Sequence, residues 1–132
     1  MERTYTTPLL DKLGVRPGAR VAVVDVVDDT FRTLLETRTS DVTVGPPRPN
    51  TDLIFAAADS VEELLRLRDL RQRLVPNGGI WVVSRKGKTA TIRDVDVIGA
   101  AKSAGLVDNK VVSFSDTHTA LRLVIPRADR PR

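Results

Sequence analysis

The chain has 132 residues, with 21 Lys and Arg against 17 Asp and Glu, a formal net charge of +4. That length suits one domain with a proper core, and 41% hydrophobic with 29% charged residues is too apolar for wholesale disorder. The absence of cysteine excludes a disulfide scaffold, a thiolate zinc site and a cysteine nucleophile, and the single histidine excludes a polyhistidine metal site.

The start, Met1-Glu2-Arg3-Thr4, leads into no apolar run of the kind that marks a targeting signal. Thr7 and Pro8 read as N-cap and first position of a short helix carrying Leu9, Leu10 and Leu13, stopped by Gly14. Val21 to Val27 is β-branched and almost continuously apolar, the pattern of a strand buried on both faces. Asp28 or Asp29 caps a helix bearing Phe31, Leu34 and Leu35. Asp41 to Val44 reads as a second strand, followed by a proline-rich loop over 45–50.

Asp52 to Ala58 is a third strand. Its Leu53 to Ala58 run is the longest wholly apolar stretch, far short of the ~20 residues of a membrane span. Ser60-Val61-Glu62-Glu63 is a capping box opening a helix with Leu64, Leu67, Leu70 and Leu74 on one face. On the other face, Glu62 with Arg66 and Asp69 with Arg73 fall at i,i+4, which predicts a salt-bridged solvated surface rather than a basic patch. Pro76-Asn77-Gly78-Gly79 reads as the turn that ends this helix, and Ile80 to Ser84 as a fourth strand, with Trp81 buried. After the basic loop Arg85-Lys86-Gly87-Lys88, Asp94 caps a helix bearing Val95, Ile98 and Ala101, closed by Gly105. Lys110 to Ser115 and Ala120 to Ile125 form a closing antiparallel hairpin through Asp116-Thr117-His118-Thr119. Residues 1–126 are read as one α/β domain and 127–132 as a charged flexible tail, whose three arginines and one aspartate supply half the net charge. The body is therefore only mildly basic. Sixteen arginines to five lysines fit a GC-rich coding bias, and 4% aromatic residues leave few stacking platforms, so nucleic acid is not the favoured partner. No membrane partner is expected, and the expected location is cytoplasmic.

Strands alternating with helices predict a three-layer α/β sheet, mostly parallel, ending in an antiparallel hairpin. This order resembles the class I methyltransferase fold, a Rossmann relative. Leu74 to Val83 is similar to that family's leucine–x–proline–glycine–glycine turn into a strand, and Leu13 to Val21 to its approach to the first strand. The resemblance implies an S-adenosylmethionine site built on a glycine-rich turn after the first strand and an acidic residue at the end of the second. Here those places read Asp25-Val26-Val27-Asp28-Asp29-Thr30, without glycine, and Val44-Gly45-Pro46, without an acid. One strand–helix unit is also missing between Val44 and Asp52. A second resemblance covers nearly the whole chain. Leu13-Gly14 through Arg20-Val21, Gly78 to Val82, and Gly105-Leu106-Val107-Asp108-Asn109-Lys110-Val111 are similar to a small bacterial family, common in actinobacteria, catalogued as domain of unknown function 3052. Lys86, Lys88 and Asp116 stand where that family carries a lysine pair and an aspartate, whereas Thr117-His118-Thr119 replaces its hairpin tryptophan. The resemblance carries no established activity.

In an open parallel sheet, ligands sit beyond the carboxyl ends of the strands. The residues predicted there are Asp25, Ser84, Lys86, Gly87, Lys88, Asp116 and His118, together with Asp28 and Asp59. Lys86 and Lys88 around Gly87 have the chemistry to attract an anion, and His118 beside Asp116 that of a general base with an orienting carboxylate. Asp108-Asn109-Lys110 is placed at the opposite end, as a structural turn. The reading that follows is a non-catalytic domain, without cofactor, metal or catalytic residues, acting through contacts with a protein partner or further copies of itself. The alternatives are a binder of a nucleotide or phosphorylated metabolite at that edge and a methyltransferase.

Overall fold

The computed structural model describes residues 7–131. Six strands form one sheet in the order β2-β1-β3-β4-β6-β5. They are β1 (Val21–Val24), β2 (Val42–Val44), β3 (Thr51–Ala57), β4 (Leu74–Arg85), β5 (Val107–Ser113) and β6 (His118–Val124). The first four run parallel, and β6 then pairs antiparallel with both β4 and β5. Helices α1 (Thr7–Lys12) and α2 (Asp29–Glu36) cover one face. A 3-10 turn over Glu63–Arg66, α3 (Leu67–Arg71) and α4 (Asp94–Ser103) cover the other. This is the mostly parallel three-layer α/β architecture expected, with its antiparallel end.

The continuous apolar runs are explained by two cores. Val21, Val23, Leu53, Phe55, Trp81 and Val83 point to the α1/α2 face, while Ala22, Val24, Ile54, Ala56, Ile80 and Val82 point to the other. Phe31 of α2 meets Phe55 at 5.1 Å and Phe114 at 4.7 Å between ring centroids. Burying such a ring contributes roughly 1.5–3 kcal/mol. Trp81 is buried, and its Nε1–H donates to the Leu13 carbonyl at 3.0 Å, tying α1 to the middle of the sheet.

Several boundaries differ from those the sequence suggests. β1 stops at Val24, because Asp25 turns the chain into the left-handed region at φ 61°, a conformation aspartate tolerates better than β-branched residues. Val26 and Val27 therefore lie in a loop. Asp28 is the cap of α2, accepting from the Phe31 N–H at 3.0 Å. The capping box at Ser60 forms only in half: Ser60 Oγ accepts from the Glu63 N–H at 3.2 Å, but the Glu63 carboxylate accepts from the Asp59 N–H at 2.9 Å rather than from that of Ser60. The helix behind it is a 3-10 turn and five α-helical residues, however, so Leu74 belongs to β4 and Arg73 lies beyond the helix. Its arginines do not form the predicted i,i+4 face. Arg66 reaches Asp25 and Glu63, while Arg68 and Arg71 donate to the carbonyls of Ser103 and Gly105 at the end of α4. Pro76 to Gly79 is not a terminating turn. It is an irregular opening of β4, where the pairing slips from Thr51↔Leu74 to Leu53↔Gly79. At α4, Arg93 is the cap residue, its N–H held by the Asp96 carboxylate at 2.8 Å. Val97 and Ala101 face inward, and Val95 is exposed. The Asp108-Asn109-Lys110 segment lies at the predicted end of the sheet, but within β5, with a register slip between Asp108 and Lys110. Arg127–Asp129 forms a 3-10 turn, and the Arg130 Nε–H donates to the Ile125 carbonyl at 2.9 Å. Met1 to Thr4, Arg132 and the side chains of Thr7 and Pro8, including the Thr7 cap, lie outside the described residues.

Candidate functional site

β1 leads through α2 to β2 on one side, and the chain then returns to place β3 on the other. Such a reversal leaves an open crevice beyond the carboxyl ends of the strands. Here it has a volume of about 600 Å³. Its floor is Ala57, Val83 and Phe114, and its walls are the loop after β1 and the turn between β5 and β6.

The structure brings Asp25, Asp116 and His118 of the predicted set to this crevice, with Asp28 and Asp59. Ser84 is buried within β4. Lys86, Gly87 and Lys88 lie beside the crevice and do not line it; the Lys86 Nζ donates to Ser113 Oγ at 2.7 Å. Among the described residues, the cation that lines the crevice is Arg85, a member of the basic loop that was not singled out as a site residue. The pattern could have shown it, since the last residue of a buried parallel strand sits at this edge.

Most of the charge here is already matched. Asp25 accepts from the Arg66 guanidinium at 2.8 Å, and Arg66 also donates to the Ala57 carbonyl at 3.1 Å. Asp59 accepts from the Arg85 N–H at 2.9 Å, with the two side chains 3.8 Å apart. Asp28 is engaged as the α2 cap. Ser115 Oγ accepts from the N–H groups of Thr117 and His118, at 3.3 and 3.1 Å, which fixes the turn. His118 Nδ1 shares a 2.8 Å hydrogen bond with Thr117 Oγ1, so the partner of that ring nitrogen is a hydroxyl. Asp25 and Asp59 are thus paired with Arg66 and Arg85, and Asp28 caps α2, so the polar groups lining the crevice also hold its walls in place.

The fold and this crevice place the chain among the class I methyltransferase-like α/β domains. It is similar to an S-adenosylmethionine-dependent methyltransferase from Aquifex aeolicus, at 14% identity and a TM-score of 0.70 over 90% of this chain and 88% of that one. It is also similar to a TehB-like methyltransferase from Corynebacterium glutamicum, at 12% identity and a TM-score of 0.59 over 90% and 86%. A third likeness is the O-methyltransferase NcsB1 of neocarzinostatin biosynthesis, at 14% identity and a TM-score of 0.67 over 93% of this chain and 53% of that one. The chain belongs to the family of proteins of unknown function DUF3052, whose model matches residues 11–127. No curated protein matches it.

The methyltransferase fold implies S-adenosylmethionine, and the residues at the crevice do not fit it. A cofactor held against a glycine turn needs bare backbone there. The loop instead carries Val26, Val27 and Asp28 along the crevice wall, with Val27 97% exposed. The end of β2 offers Val44 and Gly45 and no carboxylate for ribose hydroxyls. Among the described residues no group of three or more His, Asp and Glu is arranged to hold a metal ion, and no helix is long and apolar enough to cross a membrane.

Proposed function

We propose that this protein is a non-catalytic binding domain that holds a small polar molecule in the crevice at the carboxyl ends of its strands. The observation that carries this reading is the crevice itself, which opens beyond the carboxyl ends of the strands and brings Asp25, Asp59, Ser115, Thr117 and His118 together over an apolar floor. A half-open crevice lined by carboxylate, hydroxyl and imidazole groups offers acceptors to a ligand presenting protonated amines or hydroxyl donors. Lys86 and Lys88 stand outside it, so the anion expected from their sequence finds little attraction here. Thermal shift with putrescine, arginine, AMP and S-adenosylmethionine tests this. A rise with one of the two amines, lost in Asp59→Asn, supports it. No response to either amine, or a response to AMP or S-adenosylmethionine, rejects it.

A second reading, contact between copies of the chain, is favoured by the opposite face of the helical layer. Val61, Leu65 and Val95 are exposed around a groove between the 3-10 turn and α4, and Leu65 is 75% exposed. Arg68, Asp69 and Asp96 rim it with both signs of charge, so two copies meeting about a two-fold axis can set opposite charges against each other. Sedimentation equilibrium of the parent and of Leu65→Glu checks it; a parent that stays monomeric removes this reading.

A further inference from the structure

Arg122 is the one charged residue in the apolar run of β6 from Ala120 to Val124. It pairs across the sheet with Trp81 on one side and Lys110 on the other. Its guanidinium lies back along the strand over Gly79, where a Cβ would come within 2.6 Å of Arg122 Nε. Gly79 is thus the seat of the guanidinium. The Nε of Arg122 is buried without a hydrogen-bond partner among the described residues. Burial pushes the guanidinium below its ordinary pKa, and the neighbouring positive charge of Arg130 pushes it the same way. A half-buried cation next to another cation, with a donor left open, costs stability unless something else answers it.

What Arg122 faces is a cavity of about 420 Å³ at the amino ends of the parallel strands, opposite the crevice. Arg16 and Asn77 line it with Arg122, as does backbone at Gly18 and Gly78. Its one acidic wall residue among the described residues is Asp52, whose carboxylate accepts from the Arg20 N–H at 2.8 Å. Arg16 and Arg122 therefore outnumber the acid, and Arg130 adds to the excess.

We infer that this cavity is a binding site for a phosphate-sized oxyanion carried by a small molecule, with Arg122 as the anchoring group. A guanidinium offers a rigid fork of N–H donors that matches two oxygens of a phosphate at once. The Nε–H is buried against Gly79, so a bidentate contact from the cavity falls to the two terminal nitrogens of the fork. Arg16, exposed at the rim, adds a second positive charge. The site is separate from the crevice, at the other end of the strands, so it stands or falls independently of the function proposed above.

The test is calorimetric titration with inorganic phosphate and pyrophosphate, against chloride at matched ionic strength, with an NMR readout of the Arg122 Nε–H. The expected result is binding of pyrophosphate that moves the Arg122 Nε–H resonance. Arg122→Met, which keeps the side chain's length, lowers the affinity roughly 10-fold or more. Gly79→Ala keeps every charge but displaces the guanidinium, and it weakens binding in the same direction. The double substitution Lys86→Ala, Lys88→Ala leaves binding unchanged. The inference is overturned if neither phosphate nor pyrophosphate binds the parent beyond the chloride control, or if Arg122→Met binds as tightly as the parent. It is equally overturned if an oligoglutamate peptide binds at Arg122 and the phosphates do not. Should Arg122→Met not fold, the parent's Nε–H shift and the Gly79→Ala titration decide by the same criteria.

Discussion

At the carboxyl ends of the strands, the arginines beside the crevice meet carboxylates: Arg66 lies 2.8 Å from Asp25, and Arg85 3.8 Å from Asp59. At the amino ends, Arg122 has a buried Nε and no hydrogen-bond partner there among the described residues. The same sheet carries both ends, and Trp81 spans its middle. Matched charge at one end holds loops in place, with Arg66 joining the loop after β1 to the turn before α3. Unmatched charge at the other end is a position where a stabilising choice was open and was not taken. The first arrangement explains structure. The second points to a ligand.

The largest effect should come from the shared middle. Trp81→Ala should cost roughly 3–5 kcal/mol in urea unfolding, since it removes a buried indole and leaves the Leu13 carbonyl without its donor. Both ends should loosen together. A loss below about 1 kcal/mol would show that α1 does not depend on this anchor.

Adjacent glycines separate backbone constraint from ligand seat. A Cβ on Gly78 would come within 2.6 Å of the Asp52 carbonyl, a backbone atom of the neighbouring strand. Gly78→Ala should therefore destabilise by about 1–3 kcal/mol. A Cβ on Gly79 meets the end of the flexible Arg122 side chain instead, which can move aside. Gly79→Ala should cost visibly less than Gly78→Ala, and thermal melts of the two side by side check the order. The reverse order would mean that Arg122 is held in place by more than its glycine seat.

The arginines should respond with opposite signs. Arg66→Met removes hydrogen bonds to Asp25 and to the Ala57 carbonyl, and should lower stability by roughly 1–2 kcal/mol. Arg122→Met removes an unanswered charge while keeping the methylenes over the sheet, so stability without phosphate should hold or rise. Matching losses in chemical denaturation would erase the contrast between the two ends.

How much of this was legible in the sequence depends on whether local chemistry or tertiary pairing decides. The buried strands Val21 to Val24 and Leu53 to Ala57 read directly, because a strand covered on both faces is apolar throughout. Pro76 to Gly79 misled, since the same residues that mark a turn also serve an irregular strand start. Val26, Val27 and Val95 misled in the other direction: hydrophobicity alone does not say that Asp25 turns the chain or that α4 shows Val95 to solvent. At the crevice, topology predicted Asp25, Asp116 and His118, because strand order alone fixes which segments share an edge. It could not predict that Lys86 would turn to Ser113. Arg122 had a signal, a lone charge in an apolar strand, but its meaning needed the glycines of β4 beside it.

The smallest expected effect concerns the lysines. Lys88 is exposed, and the Lys86 side chain donates to Ser113 Oγ on β5 at 2.7 Å. Exposed substitutions of this kind cost about 0.5 kcal/mol or less, so Lys86→Ala, Lys88→Ala should melt within a few degrees of the parent. At the crevice the double variant should leave binding of a cationic ligand unchanged or slightly tighter, because removing two nearby positive charges lessens the repulsion of a cation. At the Arg122 cavity it should change nothing beyond the weak screened effect of charges at the far end of the sheet. Loss of pyrophosphate binding in this variant, with its fold intact by circular dichroism, would move the anion site from the amino ends of the strands back to the loop after β4. The contrast between the two ends would then be one of structure alone.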